Sequence, residues 1–98
     1  MERFLTLSLN RIQQSNSFRK RYKKTQRNIK DALNKAIKTV YANPDIGEDK
    51  KGDLLGIKVY KFKLKSLLLL LAYRVINEDT LYLEAFGTHE NFYRDLKN

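Results

Sequence analysis

The 98-residue sequence predicts an α+β fold: two N-terminal helices packed on an antiparallel sheet of three to four strands, followed by a short C-terminal helix. Three observations carry this expectation. Ile29, Ala32, Leu33, Ala36, Ile37, Val40 and Tyr41 recur at the spacing of one helical face. From Ile57 the period changes to two, with Tyr60, Phe62 and Leu64 pointing one way and Lys61, Lys63 and Lys65 the other. Leu67 to Tyr73 is then apolar at every position, as in a central strand covered on both faces, although a buried helical turn gives a similar pattern.

Residues 1–14 mix Phe4, Leu5, Leu7, Leu9 and Ile12 with polar neighbours, which suggests an N-terminal extension and a short strand near "RIQQ". Ser15, Asn16 and Ser17 are helix N-cap types, and Phe18 and Tyr22 fall one turn apart behind them, so "SNSFRKRYKKT" reads as a short, very basic helix. The amphipathic helix follows. Asn43-Pro44 stops it, because proline disfavours helical geometry in the residue before it and brings no N–H. "DIGEDKKGDLLG" holds three glycines and six charged residues, the composition of a surface loop. A tight turn at Lys65-Ser66 and another at Asn77 to Asp79 divide the rest into a meander, and the tail from His89 to Asn98 supplies the last short helix. With the helices on one face, the other sheet face is expected to present Lys61 and Lys63.

The length suits one domain spanning residues 1–98, with one modest core. Twenty Lys and Arg against eleven Asp and Glu leave a net charge of +9, which favours an anionic partner: nucleic acid first, an acidic protein or membrane surface second. The absence of cysteine rules out disulfides and thiolate metal sites and fits a reducing cytoplasm, while a single histidine argues against a zinc site built on His. The apolar run "LLLLLAY" is far short of the roughly 20 residues of a membrane helix. "MERFLTLSL" lacks the long apolar region and cleavage site of an export signal.

RNA can be cut without a metal when a protein supplies a base for the 2′-hydroxyl, an acid for the departing 5′-oxygen and cations for the charge building on phosphorus. Lys61 and Lys63 lie on one strand face about 7 Å apart, so each raises the cost of charging the other and makes one of them more apt as a proton acceptor. They are otherwise the solvated lysines that guard an edge strand against aggregation. His89, after Gly87-Thr88 at a strand end, carries the one side chain that ordinarily titrates near neutral pH; its role is acid–base or merely structural. Tyr93, four residues on, shares a helical face with it and is placed either to donate to a phosphate or to stack on a base. Phe92 reads better as an anchor of the tail to the core. Arg74 either reaches a phosphate or simply ends its strand, and Lys58 joins it as a candidate RNA contact. Arg19, Lys20, Arg21, Lys23, Lys24, Arg27 and Lys30 form a basic helical surface suited to nucleic acid, the ribosome or an acidic protein. The acidic residues are scattered, and no metal site is expected.

Taken in order, "NPDIGEDKKGDLLGIKVYKFKL", "LLAYRV" and "EAFGTHENFYRDL" resemble the RelE/ParE superfamily of type II toxins, particularly its RelE-like and YafQ-like messenger-RNA interferases. The similarity runs from about Ser17 to Leu96. It implies a RelE/ParE-like fold and a cytoplasmic toxin, held by a cognate antitoxin, that enters the ribosome and cleaves mRNA by 2′-hydroxyl attack without metal or other cofactor. It also implies that the strand lysines are Lys61 and Lys63, the catalytic histidine His89 and the later aromatic Tyr93. One position departs: where the RelE type has an arginine early in the central strand, this sequence has leucine, and Arg74 lies four residues beyond. The ParE branch shares the architecture but inhibits DNA gyrase without nuclease chemistry, which is the alternative reading.

Overall fold

The computed structural model describes residues 9–89 and Phe92. The chain begins with strand β1 (Arg11–Gln14), helix α1 (Asn16–Lys23) and helix α2 (Arg27–Ala42). Ser15 makes the join: its hydroxyl oxygen caps α1 by accepting from the Phe18 N–H at 3.0 Å and donates to the Glu84 carbonyl at 2.8 Å. One residue thereby starts the helix and ties it to the sheet.

A 3₁₀ turn (Pro44–Ile46) ends the helical pair, and strands β2 (Glu48–Asp49), β3 (Lys58–Leu64), β4 (Leu67–Ile76) and β5 (Thr80–Thr88) follow. The sheet order is β1-β5-β4-β3-β2, with β1 parallel to β5 and every other pair antiparallel. The α+β architecture with both helices on one face is as expected, but the sheet is five-stranded and mixed. β1 is the short strand expected near "RIQQ", set at the sheet edge with every residue exposed, and β2 is a two-residue edge strand inside the segment that reads as a surface loop.

The helix-side core joins Phe18 of α1 and Leu33, Ala36 and Val40 of α2 to Leu71, Tyr73, Leu81, Leu83 and Phe86 of the sheet. Each fully buried large aliphatic or aromatic side chain here contributes about 1.5–3 kcal/mol. Phe18 meets Phe86 edge-on, with ring centroids 4.9 Å apart. The opposite face is partly covered as well. Ile57, Val59, Leu70, Ala72 and Phe92 form a second cluster there, so β4 is buried from both sides and its run of leucines is accounted for.

Two hairpins set the registers. Lys65 turns β3 into β4 at φ 57°, and Asn77 and Glu78 turn β4 into β5 at φ 54° and 65°, the left-handed pair of a type I′ turn. Between Ala72 and Tyr73 the β4–β5 register slips: Ala72 faces Ala85 while Tyr73 faces Leu83, leaving Glu84 as the extra residue of a β-bulge. His89 and Phe92 have helical backbone. The rest of the expected C-terminal helix, including Tyr93, lies outside the described residues, as do residues 1–8 of the N-terminal extension.

Candidate active site at the end of the sheet

Strand alternation places Tyr60 and Phe62 toward the helices and leaves Lys61 and Lys63 exposed on the other face. The pairing then carries a row across the sheet. Lys61 faces Leu70, and Leu70 faces Gly87; Phe62 faces Leu69, and Leu69 faces Thr88. His89, the residue after Thr88, thus leaves the sheet level with the Lys61–Lys63 end of β3. Two strand spacings of about 4.8 Å each separate β3 from β5, a gap that one backbone phosphate with its flanking sugars can bridge. His89 is exposed, so its imidazole is available to a ligand on this rim.

The other cations divide. Arg74 stands opposite Tyr82, four residues along β4 from Leu70 or about 13 Å, and its Nε donates to the Glu84 carboxylate. Arg74 therefore lies at the far end of the sheet from His89, its charge matched. Lys58 has the parity of Tyr60, on the face away from Lys61, and its ammonium is 2.7 Å from Asp49 Oδ1. Arg19, Lys23, Lys24 and Arg27 remain exposed on the helical surface, and the Lys30 ammonium sits 5.1 Å from the centre of the Tyr22 ring.

Arg21 is the exception on that surface. Its Nη1 lies 3.8 Å from where a Cβ on Gly87 would be, so α1 sends one guanidinium over the end of β5 to the row that holds Lys61 and Leu70. The sequence presents Arg21 as one of seven similar cations. Only the docking of α1 through Ser15 and Phe18 singles it out.

Phe92 is 2% exposed and packs on Leu70, Ala72 and Val59, which brings the start of the tail back over the lysine-bearing face beside Gly87. Tyr93 lies outside the described residues. Among the described residues no group of three or more His, Asp or Glu is arranged to hold a metal ion. The register sets His89, Lys61 and Lys63 at one end of the sheet, with the Arg21 guanidinium over Gly87; imidazole and ammonium can exchange protons, and all of these groups can bind phosphate.

The comparisons with known proteins bear on the family and the fold. Residues 12–97 match the model of the ParE-like toxins of type II bacterial toxin-antitoxin systems. The chain belongs to that family, within the RelE/ParE superfamily of toxins. Among solved structures, it is similar to a chain in the intact Escherichia coli RelBE toxin-antitoxin complex, at 25% identity and a TM-score of 0.61, covering 78% of this chain and 92% of that one. It is also similar to a mutant of E. coli RelE, with two arginines replaced by alanine, in the free state, at 22% identity and a TM-score of 0.65, covering 88% and 87%. The same mutant bound to an antitoxin RelB peptide matches at 20% identity and a TM-score of 0.63, covering 92% and 95%. No curated protein sequence matches the chain.

Proposed function

We propose that this chain is a single toxin domain over residues 1–98 that cleaves messenger RNA on the ribosome, in the cytoplasm, and is held inactive by a cognate antitoxin. The observation that carries the reading is the sheet register that sets His89 level with the Lys61–Lys63 end of β3, in a fold shared with RelE. The likeness to the RelBE complex supports an antitoxin partner, and the exposed cations of α1 offer such a partner, or RNA, a positive surface.

The chemistry that suits these groups is attack of a 2′-hydroxyl on its neighbouring phosphate. The hydroxyl proton passes to a base, the new O–P bond closes a cyclic phosphate, and the P–O5′ bond breaks as the departing oxygen takes a proton. His89 serves as proton donor or acceptor, and Lys61 and Lys63 share the complementary proton role and the stabilisation of charge on the phosphorane. Tyr93 orients the phosphate or stacks on a base. Arg74 and Lys58 are paired with Glu84 and Asp49, so long-range steering of RNA falls to Arg19, Lys23, Lys24 and Arg27.

The test is induced expression of parent and His89→Ala proteins in cells, with far-UV circular dichroism of each. The reading expects growth arrest by the parent, relief by His89→Ala and identical spectra. A variant as toxic as the parent contradicts it.

Inhibition of DNA gyrase without nuclease chemistry is the second reading. It is favoured by the match to a ParE-like model and by leucine in the central strand where a RelE-type toxin has arginine. It expects loss of supercoiling and an intact message.

A further inference from the structure

Between the α1–α2 turn and the last residues of β5 lies a cleft of about 290 Å³. Ile29 and Phe86 give it apolar walls, and Arg21, Thr25, Gln26 and Thr88 give it polar ones. That volume is at the lower end of small-molecule sites, roughly 300 Å³, which suits a single planar ring system and not a folded peptide.

The polar groups suit the edge of such a ring. Gln26 is the N-cap residue of α2, yet its side chain makes no capping hydrogen bond, so its amide presents a donor and an acceptor side by side. The Thr25 hydroxyl donates to the Arg21 carbonyl at 2.7 Å, which leaves its oxygen to accept. Guanidinium planes are surfaces on which unstacked RNA bases settle, and Arg21 brings one to the cleft opposite the apolar wall of Ile29 and the edge of Phe86. The adjoining surface adds the exposed Lys20 and Lys24, whose charge favours an anionic ligand. Thr88 immediately precedes His89, so the cleft ends one residue along the chain from the histidine.

We infer that this cleft is a nucleotide subsite, in which one base of the RNA lies between the Arg21 side and the apolar wall of Ile29, and Gln26, with Thr25 and Thr88, reads its edge. This rests on the RNA-cleaving reading and adds to it a place where the identity of a nucleotide next to the cut is sensed. The basic helix thereby gains a specific role at its C-terminal end.

The experiment is NMR titration of the full chain with each of the four nucleoside 5′-monophosphates, and separately with inorganic phosphate, comparing the parent with Gln26→Ala and Arg21→Gln. The expected result is perturbation of the Thr25, Gln26, Gly87 and Thr88 amides by nucleotide. Gln26→Ala should weaken at least one nucleotide about tenfold, the size of one lost base-edge contact. Equal perturbation by phosphate alone, shifts confined to Lys61 and Lys63, or no shifts would each overturn the subsite. Because the titration needs no ribosome and no cleavage, an uncut message would count against the nuclease reading without deciding this one.

Discussion

The hydroxyl of Tyr73 fills the space where a side chain on Gly47 would begin: a Cβ there would lie 2.5 Å from the phenolic oxygen. The same oxygen accepts from the Gly47 N–H at 2.9 Å and donates to the Pro44 carbonyl at 2.6 Å. Tyr73 is fully buried in β4, so this pair fastens the end of the helical layer to the middle of the sheet.

Gly47→Ala should therefore destabilise the fold by about 1–3 kcal/mol, the usual cost of overpacking. Tyr73→Phe should cost about 1–3 kcal/mol by leaving the buried Pro44 carbonyl and the Gly47 N–H unpaired. Without the hydroxyl the alanine has more room, so the double variant should lose less than the sum. Urea unfolding of the four proteins measures the coupling, and strict additivity would contradict the contact.

Burial raises the Tyr73 phenol above its ordinary value near 10; Asp45 and Asp49 push the same way, against the Gly47 hydrogen bond. Above about pH 10 the unfolded chain releases this proton before the folded one does, which favours unfolding. The stabilisation from a neutral Tyr73 is therefore complete at neutral pH and declines as pH rises through 10 toward the folded value. Thermal melts from pH 8 to 11 should show a shallower alkaline decline for Tyr73→Phe than for the parent. Parallel curves would contradict it.

Glu78 holds φ 65° in the β4–β5 turn, a conformation that costs a side-chain-bearing residue about 1–2 kcal/mol and glycine little. Glu78→Gly converts the turn to Asn-Gly, the preferred type I′ pair. It should raise stability by about 0.5–1 kcal/mol, or roughly 2–8 °C in melting temperature for a chain of this size. An unchanged or lower melting temperature would count against the assigned turn.

The exposed Lys61 and Lys63 have no place in either core cluster, so Lys61→Gln and Lys63→Gln should leave the melting temperature within about 2 °C of the parent. Under the proposed chemistry each should slow message cleavage by about 10- to 1,000-fold, the range for loss of a proton-transfer or charge-stabilising group. Full activity in both would make β3 a solvated edge and nothing more.

Much of this was legible in the sequence because it follows period. The stripe from Ile29 to Tyr41 is α2, with Leu33, Ala36 and Val40 fully or almost fully buried, and the alternation from Tyr60 to Lys63 assigns the two sheet faces. What escaped depends on partners distant in the chain. The parallel pairing of β1 joins residues some seventy positions apart, and nothing within four exposed residues announces it. The pairing of Arg74 with Glu84 depends on the β4–β5 register, which neither strand states by itself. Arg21 looked like its neighbours because its reach to Gly87 is a property of how α1 docks. Phe92 was legible as an anchor, but not the face it would cover.

The most direct test of the central claim is primer extension on messenger RNA in a ribosome-programmed translation reaction, with the parent protein and His89→Ala side by side. The proposal expects new 5′ ends within codons for the parent and none for the variant. Intact message with both proteins, accompanied by toxicity in cells, would contradict it and transfer the case to gyrase.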